Sequence, residues 1–379
     1  MDFNLTEDEK LIRDTVRDLA STKFMARADK IDKESIFPEE NIQELAELGM
    51  LGTILDPEYG GAGASTITYS LVLEEIARAC ASTSVITSVT TMVGLAIQRE
   101  GTEEQKEKWV TKIASGEEIG AFCLTEPTAG SDAGSLKTSA KIEGDEVVIN
   151  GQKLWITNAA HAGIFLVMAN ENPSLGHKGI SAFVVEKGTP GLQIGAPEKK
   201  MGLNGSHTCT VFFDNVRIPL ENRIGAPGKG FAIALKSLDT GRIGIASQAI
   251  GIGQAAYEAS VQFAKERRQF GQPISNFQAV SFRIAEMKMK LDAARLLTWR
   301  AAWMRDQGMK HTMESSIAKA YATEAACEVT QNAIKTHGGM GFSKELPVER
   351  YHRDIQATML YEGTNDIQRL VITKNIFGQ

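Results

Sequence analysis

Residues 147–157 read VVINGQKLWIT, with β-branched residues on both sides of an Asn-Gly pair. Such residues favour strands, and Asn-Gly accepts the positive φ angles of a type I′ turn. The stretch therefore predicts a hairpin that turns at Asn-Gly. Short apolar runs between prolines predict further strands at 164–168, 180–185 and 210–213. This part of the chain is predicted to be a β domain.

The sequence on either side has the pattern of helices. Residues 39–49 are amphipathic and end on a glycine, which is typical of a helix C-terminus. After Pro273, apolar residues recur at intervals of three and four and predict a long helix. A turn near 307–308 should reverse the chain into a second long helix that ends at His337. Helices, a small sheet and long helices, without βαβ alternation, predict an α+β fold. The predicted domains are 1–118 (all-α), 119–226 (β) and 227–379 (α-helical).

Composition excludes several classes of protein. A chain of 379 residues is long enough for two or three domains. The 41 basic and 47 acidic residues give a net charge of -6, which argues against general binding of nucleic acid or anionic membranes. Residues 1–9 have no basic leader, and no apolar run approaches the eighteen or so residues of a membrane span. We expect a cytoplasmic protein without membrane insertion. The four scattered cysteines have no metal-ligand spacing, and no metal is expected.

The stretch 251–256, GIGQAA, matches a dinucleotide-binding pattern. That pattern requires a preceding strand and a βαβ unit, whereas this stretch lies in a helical region. Small residues that permit close helix packing are the better explanation, and a Rossmann NAD site is disfavoured.

Four segments contain residue types that suit ligand binding. The loop after an apolar strand at 122–132, FCLTEPTAGSD, offers hydroxyls, a glycine and backbone donors. In 155–158, WITN, the Trp face could cover a flat aromatic ring. The Asp and Arg of 238–242, LDTGR, which is expected to open a helix, could bind an extended polar ligand. In 361–369, YEGTNDIQR, burial beside the aromatic residue could raise the pKa of the glutamate. Taken singly, a surface turn, a core Trp and a salt bridge are the favoured explanations of the first three segments, and the fourth is also explained by a turn before a capped helix.

Together, in this order and at these separations, the four segments resemble the acyl-CoA dehydrogenase family over nearly the whole chain. Residues 267–271, 277–278 and 337–341 add to the resemblance, and 238–249 is most similar to the short-chain, butyryl-type branch. The resemblance implies an N-terminal helical domain, a middle β-barrel-like domain and a C-terminal four-helix bundle. It also implies a homotetramer built from paired dimers, with FAD between the last two domains.

The resemblance assigns roles to individual residues. Expected to bind FAD are Phe122, Leu124, Thr125, Gly130, Ser131, Trp155, Ile156, Thr157, Arg267, Gln278, Lys335, His337, Gly338, Gly339, Thr364, Asn365 and Asp366. Of these, Arg267, Gln278 and the stretch 335–339 would come from the neighbouring subunit. Expected to contact the acyl-CoA are Ser131, Asp239, Arg242, Tyr361 and Gly363. Lys335 and His337 stand where relatives commonly have glutamine and an aliphatic residue.

The implied reaction is the α,β-dehydrogenation of a short acyl-CoA. Glu362 would remove the α-proton, the β-hydrogen would leave as hydride to flavin N5 near Thr157, and electrons would pass to electron-transfer flavoprotein. Some members carry their base at the position of Gly241 and lack Glu362. Straight, branched and cyclic acyl groups remain open, because the pocket-forming stretch 84–99 is one residue shorter than in butyryl-type relatives. A glutaryl group is disfavoured, since Thr83 falls about where glutaryl-specific enzymes place an arginine.

Three alternative functions remain open. An acyl-CoA oxidase shares the chemistry but usually has a much longer chain. A flavin monooxygenase on the same scaffold would not need Glu362. A non-enzymatic scaffold or DNA-repair relative should lose the base or gain a basic tail, and this chain does neither.

Overall fold

The computed structural model describes residues 4–378, so the first three residues of the stretch 1–9, for which no basic leader was expected, lie outside the described residues. The N-terminal part is helical. Its helices are α1 (Glu7–Leu19), α2 (Met25–Glu34), α3 (Glu39–Glu47), α4 (Thr66–Ala79), α5 (Ala81–Glu100), α6 (Glu103–Gln105) and α7 (Thr111–Ser115). A capping box starts α1, because the Thr6 hydroxyl accepts from the Glu9 N–H while the Glu9 carboxylate accepts from the Thr6 N–H. The predicted helix at 39–49 is confirmed as α3, and Gly49 follows it with φ of 71°.

Helix α5 corrects the expectation that no apolar run approaches a membrane span. It is the one helix in the described part of the chain that is long and apolar enough to cross a bilayer, yet 94% of the relevant window is buried inside the protein. Sequence inspection missed it because its apolar residues alternate with hydroxyl residues. Those hydroxyls bond internally: Thr87 donates to the Thr83 carbonyl at 3.0 Å, and Thr91 donates to the Leu51 carbonyl at 3.0 Å. A buried helix of this kind is a core element.

The middle region forms an eight-stranded mixed sheet. Its strands are β1 (Gly120–Cys123), β2 (Ser139–Glu143), β3 (Glu146–Thr157), β4 (Ile164–Asn170), β5 (Ile180–Glu186), β6 (Leu192–Ile194), β7 (Thr208–Pro219) and β8 (Arg223–Ile224). The strand order is β6-β7-β3-β2-β4-β5-β8, and β1 pairs in parallel with β4. The strands predicted at 164–168, 180–185 and 210–213 are therefore present.

The predicted hairpin at Asn150-Gly151 is wrong. Strand β3 runs straight through this pair, and the hairpin is instead formed by β2 and β3 around Gly144, which has φ of 65°. Asn150-Gly151 marks a bulge in the pairing with β7. Glycine is needed there because a β-carbon at 151 would lie 2.6 Å from the Thr138 hydroxyl oxygen. The pair thus signalled a special backbone conformation, but not a chain reversal.

The C-terminal region is a helical bundle. Its elements are α8 (Gly230–Glu266), β9 (Arg268–Gln269), β10 (Gln272–Pro273), α9 (Gln278–Asp306), α10 (Thr312–His337), α11 (Gly339–Phe342), α12 (Val348–Thr358) and α13 (Asn365–Phe377). The predicted turn near Gly308 is confirmed, with φ of 65°. Residues 238–242 do not open a helix as expected, because α8 already begins at Gly230, three residues after Pro227. Helical, sheet and helical regions in this order confirm the α+β fold class.

Small residues let α8 pass through the centre of the bundle. A β-carbon at Gly251 would lie 2.2 Å from the Glu74 carbonyl oxygen of α4, and one at Gly253 would lie 2.7 Å from Leu291 of α9. The interpretation of 251–256 as a packing motif inside a helix is therefore confirmed.

Candidate active site

Glu362 lies in a tight loop between α12 and α13. Its φ is 54° and that of Gly363 is 86°. Positive φ is uncommon for a residue with a side chain and costs on the order of 1 kcal/mol, so neighbouring contacts must hold it. Helix α13 starts directly afterwards, where the Thr364 hydroxyl accepts from the Ile367 N–H at 3.3 Å. The loop thus projects one carboxylate from a defined position.

The carboxylate of Glu362 is buried without a partner. The residue as a whole is partly exposed, but both carboxylate oxygens are shielded from solvent and neither has a hydrogen bond. Burial raises the pKa of Glu362 to about 7, against the opposing charges of Arg242 and Lys319. An unpaired carboxyl group with a pKa near neutrality is suited to accept and release a proton.

Gly241 of α8 faces this carboxylate. A β-carbon at 241 would lie 2.2 Å from Oε2 of Glu362 and 3.0 Å from Oε1. Any other residue at 241 would displace the carboxylate, so glycine is required for the observed arrangement.

Arg242 follows on the same helix and is almost fully buried. Its Nη1 donates to Asp239 Oδ1 at 2.8 Å and to the Ser316 hydroxyl at 3.4 Å. The other oxygen of Asp239 accepts from the Thr312 hydroxyl at 2.7 Å. Burial lowers the pKa of Arg242, and its Nε has no partner. This Nε–H is a donor available to a ligand beside Glu362.

A buried ion pair fixes the loop after β1. Lys153 Nζ donates to Glu126 Oε1 at 2.7 Å and to the Leu124 carbonyl at 3.1 Å. The Leu154 N–H donates to the Thr125 carbonyl at 2.8 Å. These contacts join the loop at 122–132 to the end of β3. The predicted ligand-binding segments 122–132 and 155–158 therefore form one surface.

Trp155 presents a flat apolar ring on this surface. Its side chain is 59% exposed although Ile156 beside it is buried. The φ of Trp155 is 58°, and the pairing of β3 with β7 is irregular between Lys153 and Ile156. The bulge turns the indole away from the regular strand. Thr157, also partly exposed, adds a hydroxyl.

A second set of predicted cofactor residues lies elsewhere, at the ends of α8, α9 and α10. Exposed among them are Arg267, Gln278, Lys335, Gly338 and Gly339. His337 is buried: its Nδ1 lies 2.8 Å from the Ala333 carbonyl and its ring packs on Phe263. Burial lowers the pKa of His337.

The other predicted site residues differ in their burial and in their hydrogen bonds within the protein. Asn365 is buried, accepts a hydrogen bond from Lys319 and donates one to the Thr323 hydroxyl, whereas Asp366 is exposed. The Tyr361 hydroxyl donates to Gln248. Ser131 and Gly130 are exposed in the loop after β1.

Sequence inspection missed two residues that contact the Glu362 loop. Lys319 donates to the Gly363 carbonyl at 2.9 Å, and Gln368 donates to the carbonyls of Glu362 and Gly363 at 3.1 and 2.8 Å. A usable signal was the lysine at 319, which stands between two alanines and four residues from Ser315 and Thr323 on a helix of small residues.

The chain belongs to the acyl-CoA dehydrogenase family. It matches the family's N-terminal domain over residues 6–117, its middle domain over 121–216 and its C-terminal domain over 228–377. The protein is therefore an FAD-dependent oxidoreductase of the acyl-CoA dehydrogenase type.

Two of the similar proteins carry names of the short-chain or butyryl type. The mitochondrial short-chain specific acyl-CoA dehydrogenase of Rattus norvegicus is 46% identical over 98% of this chain and 90% of its own length. Butyryl-CoA dehydrogenase from Megasphaera elsdenii is 40% identical, with a TM-score of 0.98 over the full length of both chains. A chain in the structure of the electron transferring flavoprotein of Acidaminococcus fermentans is also 40% identical, with a TM-score of 0.99 over the full length of both.

The residues present fit a flavin. The exposed Trp155 ring offers a flat apolar surface, and the joined loop at 122–131 offers backbone and hydroxyl donors beside it. Their assignment to FAD residue by residue remains a prediction.

Proposed function

We propose that the protein converts a short-chain acyl-CoA into its trans-2-enoyl-CoA, with Glu362 as the general base. The observation that carries the proposal is the buried, unpartnered carboxylate of Glu362 facing Gly241, with its pKa raised to about 7. The acyl group is short, and its carbon chain is straight, branched or cyclic.

Glu362 removes the proton α to the thioester carbonyl. Substrate binding expels remaining water, which raises the pKa of the carboxyl group further and strengthens the base. The backbone N–H of Glu362 donates to the thioester oxygen and stabilises the negative charge that develops there. A bound FAD, held by the Trp155 face and the loop at 122–131, would supply the acceptor for the hydride that leaves the β-carbon.

Arg242 and Asp239 bind the CoA part of the ester. The Nη1 of Arg242 is held by Asp239, so its free Nε–H is directed by an existing ion pair. Such preorganisation lowers the cost of ordering a long side chain on binding.

The enzyme acts as a homotetramer in which Arg267, Gln278 and residues 335–339 complete the neighbour's FAD site. A stripe along α9 supports this, because four large side chains recur every seven residues and remain exposed. They are Phe282 (61%), Met289 (70%), Leu296 (49%) and Trp303 (50%). Seven-residue spacing is typical of helices that pack against other helices.

Electrons pass to electron-transfer flavoprotein, in fatty acid β-oxidation in the cytoplasm. Similarity to a chain in the structure of the Acidaminococcus fermentans flavoprotein supports the acceptor. Anaerobic mixing of the yellow holoenzyme with a panel of acyl-CoA esters tests the reaction, and bleaching is expected with short esters only. A protein that no acyl-CoA bleaches would refute the proposal, and stoichiometric peroxide formation in air would indicate an oxidase instead.

A further inference from the structure

Lys319 is a fully buried lysine of α10 that contacts the loop carrying Glu362. Its Nζ donates to the Gly363 carbonyl and to Asn365 Oδ1, both at 2.9 Å. Removing an amine from water costs several kcal/mol unless it is well paired. A lysine in this position therefore requires an explanation beyond packing.

Lys319 and Glu362 each interact with other charged groups. Lys319 faces Glu362 from the loop, Arg242 from α8 and Glu324 on its own helix. Glu362 faces Arg242 and Lys319, and its charge also acts on the phenol groups of Tyr69 on α4 and Tyr361.

The two cations differ in how they are paired. Arg242 is bonded to the carboxylate of Asp239, whereas both hydrogen-bond acceptors of Lys319 are neutral oxygens. Burial lowers the pKa of Lys319 to about 7, and the charge of Glu362 opposes this change. Among the described residues, no carboxylate is hydrogen-bonded to Lys319, and the cationic lysine and the anionic Glu362 carboxylate stabilise each other.

We propose that Lys319 is a positioning residue for Glu362, which fixes the backbone of the loop through two hydrogen bonds and stabilises the carboxylate form through its charge. The inference rests on the proposed role of Glu362 as base. Gln368 completes the arrangement, since its Nε2 donates to the carbonyls of both Glu362 and Gly363. Together these donors hold the left-handed backbone at 362 and 363.

Two substitutions separate the hydrogen bonds from the charge. Lys319→Met removes the hydrogen bonds and the positive charge. Lys319→Gln removes the charge but keeps a donor for the Gly363 carbonyl. Without the positive charge the pKa of Glu362 rises, so the ascending limb of the pH profile for flavin reduction should move up by about one pH unit in both variants. The plateau rate should fall roughly 10- to 100-fold in Lys319→Met, and Lys319→Gln should recover part of that loss. The control Lys236→Met removes an exposed lysine of α8 that pairs with Glu100 of α5, and it should change neither quantity.

An infrared titration reads the Glu362 carboxyl group directly, without turnover. The carboxyl stretch that is absent in Glu362→Gln should titrate at higher pH in each Lys319 variant than in the wild type. This measurement and Lys319→Gln decide the question if Lys319→Met fails to fold. A uniform loss of rate at every pH, with an unshifted titration, would overturn the inference. Wild-type flavin reduction by Glu362→Gln would instead refute the proposed function itself.

Discussion

The carboxylate of Glu362 occupies the space that a side chain at Gly241 would need, since a β-carbon at 241 would lie 2.2 Å from Oε2. Position 241 lies on α8 and position 362 on the loop before α13, so the contact joins two elements 121 residues apart in the chain. One carboxylate fits between them. Substitutions at position 241 and at position 362 therefore both test whether Glu362 is the base.

Glu362→Gln should retain the fold, FAD and acyl-CoA binding, while its rate of flavin reduction falls by several orders of magnitude. General-base help alone contributes about 10²–10⁴-fold. Anaerobic stopped-flow absorbance with the best acyl-CoA measures the rate. The control Glu107→Gln changes an exposed glutamate and should behave as wild type. Rapid bleaching of Glu362→Gln would assign the proton transfer to another residue.

Gly241→Ala in the wild type should displace the Glu362 carboxylate and lower flavin reduction at least tenfold, because small misplacements of a reacting group are costly. Gly241→Glu in a Glu362→Gly background should restore a measurable part of the rate lost in Glu362→Gly. The same stopped-flow assay compares the three variants. The geometric argument fails if Gly241→Ala is fully active.

Stability should fall as the pH rises toward neutrality because of Glu362. Its pKa is raised from 4.5 to about 7 in the folded protein, so the folded state holds the proton more tightly than the unfolded state. The stabilisation is present below pH 4.5 and is lost as the pH rises through about 7, amounting to about 3 kcal/mol. Urea unfolding at several pH values should reveal this loss in the wild type but not in Glu362→Gln. Parallel pH curves for the two proteins would contradict the shift.

Arg242→Ala should weaken acyl-CoA binding or turnover while FAD content stays intact, because its unpartnered Nε–H and its charge lie near Glu362, where we propose that the acyl-CoA binds. Removing the charge should also raise the pKa of Glu362. Steady-state kinetics at low substrate measure acyl-CoA binding and turnover, and the flavin absorbance per chain measures the FAD content. Arg217→Ala, which removes an exposed arginine of β7, is the control. Unchanged kcat/KM in Arg242→Ala would place the substrate elsewhere.

Trp155→Ala should weaken FAD binding about two- to tenfold, since an aromatic contact contributes roughly 0.5–1.5 kcal/mol beyond its buried area. Equilibrium titration of the apoprotein with FAD measures the affinity. Leu175→Ala, at an exposed apolar residue outside the site, should leave it unchanged. Equal affinities for Trp155→Ala and wild type would remove Trp155 from the cofactor surface.

Local patterns were sufficient for much of the fold. The periodicity after Pro273 predicted α9, and the apolar run at 180–185 predicted β5, because side-chain spacing is dictated by the repeat of the element itself. Asn150-Gly151 was misread, since the same backbone freedom serves a turn or a bulge. The choice depended on β7 and Thr138, which are distant in sequence.

The motif around Glu362 and its resemblance to a family were sufficient to name the class of enzyme and a candidate base from sequence. Only the tertiary structure decided that this carboxylate is buried, unpartnered, held against Gly241 and faced by Lys319. A pKa depends on burial and on charges brought within a few ångströms, and these come from α8 and α10, which pack around the loop only after folding. The sequence determines which side chain stands at position 362, whereas the packing of distant helices determines its burial and the charges around it.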